Sequence, residues 1–250
     1  MNGFINGIAS PSGMEASRLL SRRGFVAGMG ATAALVALGG FGLTGCTPSK
    51  AASESPAESE DYDAVIVGTG GAGLSAAIAA YDRGLTNIVI LEKMAVNGGN
   101  TNYSSSGMNA SETTFQKDQG IEDSNDAFAA ETLEGGHDTG DPELVQFMCD
   151  NSAGAIDWLD GLGIKLDNIT MTGGMSTKRC HRPTDGSAVG LTLVPGLMAA
   201  VEERGIPVKM SCEAKELLKD GDAVVGIAVD DKGKAKNLNA RAVILATGGL

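Results

Sequence analysis

Residues 62–92 constrain the fold more than any other part of the chain. Tyr62-Asp63-Ala64-Val65-Ile66-Val67 ends in a run of four apolar residues, the mark of a strand buried in a parallel sheet. It opens directly into Gly68-Thr69-Gly70-Gly71-Ala72-Gly73 and then into an Ala-rich helical stretch, LSAAIAAYDRG, stopping near Gly84. A second apolar run, Asn87-Ile88-Val89-Ile90-Leu91, leads to Glu92. The pattern predicts a βαβ unit carrying G-x-G-x-x-G. Gly68 is placed for the tight turn, Gly70 for close approach of the backbone to a pyrophosphate, and Gly73 for close packing of the helix. The helix N-terminus offers unbonded N–H groups and a partial positive charge to phosphates. Glu92 stands where a carboxylate accepts both ribose hydroxyls of an adenosine, and an acid there disfavours a 2′-phosphate. The competing reading is a glycine turn without a ligand. The strand before it, the helix after it and the acid ending the next strand favour a dinucleotide site.

Composition narrows the partners. The 250 residues are 42% apolar and 20% charged, enough for a sizeable core. Thirty-six glycines against seven prolines, with no triplet period, exclude a collagen-like chain. The net charge of −12 argues against nucleic acid, whose binding needs clustered Lys and Arg. No internal repeat is present.

Residues 18–46 read RLLSRRGFVAGMGATAALVALGGFGLTGC: a basic head, an apolar middle rich in Ala and Gly, and a small-residue close. That is the layout of an export signal. Ser21-Arg22-Arg23 with Phe25 resembles a twin-arginine signal, and Leu43-Thr44-Gly45-Cys46 resembles a bacterial lipobox in which Cys46 is lipidated. A membrane-spanning helix is the alternative, since the apolar stretch is just long enough. The boundaries expected are a signal at 1–45, a flexible tether at 46–60, small, polar and Pro-containing, and a folded domain at 61–250. Besides Cys46 the chain has Cys149, Cys180 and Cys212. No pair has C-x-x-C spacing and no C-x-x-C-H occurs, so neither zinc nor c-type haem is indicated and no metal site is expected. Cys149 and Cys212 read as ordinary buried small residues.

Past Glu92 the chain continues through Lys93-Met94-Ala95-Val96-Asn97-Gly98-Gly99-Asn100-Thr101 into a second glycine turn, then Asn102-Tyr103-Ser104-Ser105-Ser106-Gly107-Met108-Asn109. A nicotinamide domain would more often enter its next helix directly. A long loop of small residues suggests backbone wrapped around a larger cofactor.

These motifs resemble the FAD domain of the fumarate reductase flavoprotein group, which includes soluble periplasmic fumarate reductases, flavocytochromes c and urocanate reductases. The resemblance runs on through Gly135-Gly136, Asp141-Pro142-Glu143-Leu144-Val145, Asp157-Trp158-Leu159, Gly173-Gly174, His181-Arg182-Pro183, residues 185–190 and Ala246-Thr247-Gly248-Gly249. It implies an α/β fold: a Rossmann-like FAD-binding domain with a parallel sheet and a β-meander, lacking the capping domain that follows in the family. It implies that Gly68, Gly70, Gly71, Ala72 and Gly73 hold the pyrophosphate and that Glu92 and Lys93 meet the adenosine. By the same resemblance Gly99, Asn100, Thr101, Ser106 and Gly107 line the pyrophosphate and isoalloxazine. Ala214 offers a backbone contact to adenine, and Thr247 and Gly248 lie beside the Gly68–Gly73 loop. Related succinate dehydrogenases carry a covalently bonded histidine at about the place of Asn100, so its absence implies non-covalent FAD.

The rest reads as helices over 123–133, from the Asp141 cap and Pro142 through Cys149, over 153–162, and over 186–204, the last interrupted by Pro195 and stopped at Gly205. Strand-like runs follow at 207–212, 223–229 and 240–245, with hairpin turns at Gly221-Asp222 and Lys232-Gly233. The last run is apolar and reads as buried.

Catalysis is only weakly indicated. His137 lies in a polar loop. His181 is the one weak catalytic candidate, with a structural role beside the cofactor as its alternative. Asp185 reads as a helix cap, and Ser187 has no G-x-S-x-G setting. By resemblance the chemistry is hydride transfer to an electron-poor C=C bond of an unsaturated carboxylate, with electrons from a separate donor protein or a quinol-linked chain. The family's acid and carboxylate clamp fall beyond residue 250, so the catalytic residues are unknown from this sequence. The expectation is an exported, lipid-anchored or periplasmic FAD oxidoreductase. The alternatives are a non-catalytic FAD- or nucleotide-binding fragment, or a ketosteroid dehydrogenase-like or amino-acid oxidase-like flavoenzyme.

Overall fold

The computed structural model describes residues 59–249. The signal-like segment, Cys46 and the tether up to residue 58 lie outside the described residues. The strand β1 (Ser59–Val67) begins two residues inside the stretch read as tether, because Ser59 and Glu60 pair with Asn237 and Leu238. It leads into α1 (Gly71–Asp82) and β2 (Ile88–Glu92), the βαβ unit that the glycine pattern predicts. A 3₁₀ turn (Gly99–Tyr103) and β3 (Met108–Asn109) follow. Then come α2 (Thr114–Asp118), α3 (Asn125–Gly135), α4 (Pro142–Asp150) and α5 (Ser152–Gly161). After β4 (Asn168–Thr170), β5 (Cys180–Arg182) and α6 (Gly190–Glu203), the chain closes with β6 (Val208–Met210), β7 (Cys212–Asp220), β8 (Ala223–Asp231) and β9 (Lys234–Leu245).

Six strands form one sheet in the order β6-β2-β1-β9-β8-β7. The first four are parallel, and β7, β8 and β9 form an antiparallel meander. Alternation along β1 separates two cores. Ala64 and Ile66 face α1, α5 and α6 through Leu74, Ile78, Ile156, Leu159, Leu197 and Val201. Val65 and Val67 face the meander through Ile227, Val229 and Leu238. A smaller antiparallel sheet, β3-β5-β4, sits beside this layer.

Local chemistry explains most element starts. Asp141 caps α4 by accepting from the N–H groups of Glu143 and Leu144, with Pro142 at the first helical position. Ser124 caps α3 through Ala127 N, so that helix starts just after the predicted Asp123. Thr113 and Gln116 form a capping box on α2.

Four expectations change. The helix at 186–204 starts only at Gly190, and Pro195 lies inside it without ending it. The proline's missing N–H would have bonded the carbonyl of Leu191, an exposed residue. Asp185 caps no helix; its carboxylate accepts from Ser187 N and closes a local turn. The polar stretch Cys212–Asp220 is a full strand, an edge strand whose outward positions need no apolar side chain. Of the run 240–245 only Ala240 is buried. β8 pairs with β9 only as far as Asn239, so the last residues of β9 border β1 alone, and Leu245 is 60% exposed. The predicted hairpin turns at Gly221-Asp222 and Lys232-Gly233 join β7 to β8 and β8 to β9.

A buried ion network fixes α3 against β5. The Arg179 guanidinium, fully buried, donates to both carboxylate oxygens of Asp123 at 3.0 and 2.7 Å and to Glu131 at 2.7 Å, and lies over the Phe128 ring. Removing the cation leaves the buried Asp123 carboxylate without its counter-ion. Arg179→Ala should therefore lose about 3–5 kcal/mol in urea unfolding followed by far-UV dichroism; a loss under about 1 kcal/mol would show that the network contributes little.

Candidate functional site

The C-terminal ends of β1, β2 and β9 open into one cleft of about 830 Å³. Its floor is the first glycine turn. Gly68 has φ +112°, and a Cβ there would stand 2.4 Å from the Ala246 carbonyl oxygen, so the turn and the end of β9 are in close contact. A Cβ on Gly73 would stand 1.9 Å from the Gly68 carbonyl oxygen. Gly73 thus lets the first turn of α1 lie against the loop, as its place in the motif predicts. No side chain caps α1, which leaves its leading N–H groups facing the cleft with one exception: Gly71 N donates to Thr101 Oγ1 at 2.9 Å.

The second glycine turn is tied to the first by Thr69 and Glu92. Thr69, fully buried, donates to Glu92 Oε2 from its N–H at 3.1 Å and from its hydroxyl at 2.5 Å. The same hydroxyl accepts from Gly98 N at 3.0 Å, and Glu92 Oε1 accepts from Met94 N at 2.9 Å. A carboxylate has about four acceptor positions. Three are in use, so the remaining one on Oε1 can take a single hydroxyl. The sequence suggests two ribose hydroxyls on Glu92; the Thr69 and Met94 contacts together leave a position for one.

The predicted residues divide cleanly. Gly68, Gly70, Gly71, Ala72, Glu92, Lys93, Gly99, Asn100, Thr101, Ala214, Thr247 and Gly248 all line the cleft. Gly73 lies directly beneath it. Ser106, Gly107 and His181 do not line it. Ser106 is exposed and its hydroxyl meets the Cys180 thiol at 3.4 Å, while Gly107 packs its backbone against β5. Sequence reasoning missed Thr69, Asn97 and Asn102, and the exposed apolar side chains of Met94, Val96 and Tyr103 at the rim. Their signal was present: three large apolar groups in a loop otherwise made of small polar residues.

His181 is fully buried in the small sheet. Its Nδ1–H donates to the Arg179 carbonyl at 2.8 Å, which leaves Nε2 to accept from the Thr113 hydroxyl at 2.8 Å. Both nitrogens are engaged within the fold. His137 is an exposed loop residue at φ 54°. Cys149 and Cys212 are buried, and burial pushes both thiols up. At Cys180 burial also pushes upward, but hydrogen bonds with Ser106, Thr172 and Thr170 outweigh it and leave the thiol below its ordinary value. Among the described residues no cluster of His, Cys, Asp and Glu could hold a metal ion.

The donor set fits a dinucleotide. The leading N–H groups of α1 face the cleft, Glu92 keeps one acceptor position, and backbone without side chains runs at Gly68, Gly70 and Gly71. Gly70 is informative because a Cβ there would meet nothing closer than Thr101 Oγ1 at 3.6 Å. The protein itself has room for that carbon, so its absence serves what enters the cleft. The fold and cleft define a dinucleotide-binding α/β domain whose ligand lies at the carboxyl ends of parallel strands. Residues 63–250 match the family model described as FAD binding domain, and the chain belongs to that family, whose cofactor is FAD. It is 47% identical over 191 residues to an NADH:fumarate oxidoreductase of Klebsiella pneumoniae, covering 76% of this chain and 20% of that protein. It is 35% identical over 203 residues to a urocanate reductase of Eggerthella lenta, covering 76% of this chain and 32% of that one. A solved open conformation of a flavocytochrome c3 fumarate reductase superposes with a TM-score of 0.73 at 34% identity, over 76% of this chain and 34% of that one. The chain thus spans a fifth to a third of the length of these relatives.

Burial holds the His181 pKa below its ordinary 6.5. The unfolded chain then binds the proton more readily than the folded one below about pH 6.5, so stability falls as pH drops through that value. The loss approaches at most about 1.4 kcal/mol per pH unit. Urea unfolding between about pH 7.5 and 5 should show this slope, and His181→Asn should flatten it; an unchanged slope in the variant would assign the titration to other groups.

Proposed function

We propose that this chain is the FAD-binding portion of an exported flavoprotein oxidoreductase that reduces the C=C bond of an unsaturated carboxylate of the fumarate or urocanate kind. Electrons come from a separate donor, a redox protein or a quinol-linked chain. Export follows the twin-arginine route, and lipid on Cys46 holds the protein at the outer face of the cell membrane. The observation that carries this reading is the paired glycine turns of an FAD-family cleft in a chain 47% identical to an NADH:fumarate oxidoreductase.

The chemistry supplied when the cofactor is bound is hydride transfer to an electron-poor double bond. The residues of this chain bind and orient it. The free backbone N–H groups of Gly70 and Ala72 would meet the pyrophosphate at the positive end of α1, Gly71 N being held by Thr101. Glu92 takes one ribose hydroxyl on Oε1, while Lys93 and Ala214 border the adenosine. Gly99, Asn100 and Thr101 would hold the pyrophosphate from one side and Thr247 and Gly248 from the other, while Ser106 and Gly107, outside the cleft lining, would lie toward the isoalloxazine. With Asn100 at about the place of the covalently bonded histidine of related succinate dehydrogenases, FAD would be held non-covalently.

The full-length protein should be yellow, and acid precipitation should release its flavin into the supernatant. Reduced enzyme should be reoxidised by fumarate, urocanate or a related unsaturated carboxylate. A colourless protein that takes up no added FAD would sink the reading. Gly70→Ala gives a finer test. It should weaken FAD binding by about tenfold or more, about 1.4 kcal/mol, with unfolding stability within about 0.5 kcal/mol of the parent. Unchanged FAD affinity would mean that no ligand backbone approaches Gly70.

A further inference from the structure

The lobe made by α3, α4 and α5 has a surface that the cofactor site does not use. On α4, Leu144, Phe147 and Met148 are 67, 63 and 47% exposed and share one helix face, three and four residues apart. The inner face of the same helix is also apolar: Val145 and Cys149 pack against Phe128, Ala129 and Met175. Helix α4 is therefore apolar on both sides.

The segment of chain that carries α4 is of one sign. Residues 118–164 contain twelve Asp and Glu and no Lys or Arg. Asp123 and Glu131 are taken by Arg179. The other ten are exposed, and none makes an ion pair with a described residue. Glu143 and Asp150 stand at the two ends of α4. An apolar centre within a charged rim is the layout of a protein–protein interface, and the rim's sign selects the partner.

We propose that this face docks a cationic electron-carrier protein, with basic residues around an apolar contact patch. The proposal rests on the reading that electrons reach the flavin from a separate donor. Charge complementarity carries the choice of occupant. A second copy of this chain would set like charge against like, and nucleic acid or an anionic membrane would be repelled. The lobe is also tied to the cofactor side of the domain. Ser152 at the start of α5 accepts from Ser111 N and donates to the Cys149 carbonyl, and Ser111 donates to Asn125 of α3. Ser111 lies two residues beyond the end of β3, which continues from the Ser106–Gly107 segment. A carrier seated on α4 thus meets a surface hydrogen-bonded to the segment that the proposed function places toward the isoalloxazine.

The test uses the full-length, FAD-loaded protein and a basic cytochrome c as the probe, with binding read by surface plasmon resonance. Binding should weaken steeply between about 50 and 300 mM salt. Glu143→Lys with Asp150→Lys should weaken it about tenfold, and Phe147→Ser severalfold. The matched reversal Asp220→Lys with Asp222→Lys, on exposed acids at the β7–β8 turn, should leave it within about twofold. In stopped flow, each photoreduced flavin should give its two electrons singly to two ferric haems, releasing two protons, and the rate should fall in the same variants. Equal losses from both charge reversals, no effect of Phe147→Ser, or no salt-sensitive binding would overturn the docking face. Flavin absorbance separates the outcomes: loss of flavin refutes the flavoprotein reading, whereas retained flavin without site-selective binding refutes only the docking face.

Discussion

The cleft depends on one carboxylate. Glu92 is 93% removed from solvent in the sense that only 7% of it is exposed, and it gathers Thr69 N, the Thr69 hydroxyl and Met94 N. Thr69 then receives Gly98 N. The first glycine turn, the end of β2 and the second glycine turn are joined through two side chains. A buried carboxylate is stable only when hydrogen-bonded, and here its partners are mostly backbone N–H groups, the strongest way to fix loops that contribute little apolar burial of their own. The same acid still presents one acceptor position to the cleft, so the group that shapes the site also recognises what enters it.

The sheet supplies the rigid frame for that clip. Helices α1, α5 and α6 cover one face and the meander covers the other, so β1 and β2 are buried on both sides. Loops at their carboxyl ends inherit that rigidity. Helix α6 adds a second support. A Cβ on Gly190 would stand 2.4 Å from the Thr101 carbonyl oxygen, so the helix start lies directly under the 3₁₀ turn. Thr101 is therefore held from below by α6 while its hydroxyl accepts from Gly71 at the N-terminus of α1.

Much of this was legible in the sequence, and the failures have physical causes. The βαβ unit was legible because its parallel strands are apolar throughout and its glycines have spacing that packing requires. The caps at Ser124 and Asp141 were nearly legible because capping is local. Strand β7 was not, since an edge strand such as Cys212–Asp220 carries charges outward and shows no apolar run. The exposure of Leu245 was hidden because apolar composition reports the demand for burial, whereas burial depends on where β8 stops pairing with β9. At the site, Gly68, Gly70, Gly73 and Glu92 were named from spacing, and the other glycines from the family resemblance. Thr69 escaped because its role comes from a contact with a residue 23 positions away. Ser106 and Gly107 were placed at the cofactor by family resemblance; they lie outside the cleft lining, and β5 explains why Gly107 has no side chain.

The central claim is that the two clipped glycine turns bind FAD as a unit. The most direct measurement is a crystal structure of the protein with FAD. The account predicts the pyrophosphate on the N–H groups of Gly70 and Ala72, with the adenosine ribose hydroxyl on Glu92 Oε1 and the Thr69–Glu92 contacts intact. FAD bound away from the Gly68–Gly73 turn, or a Glu92 released from Thr69 to grip both ribose hydroxyls, would contradict it.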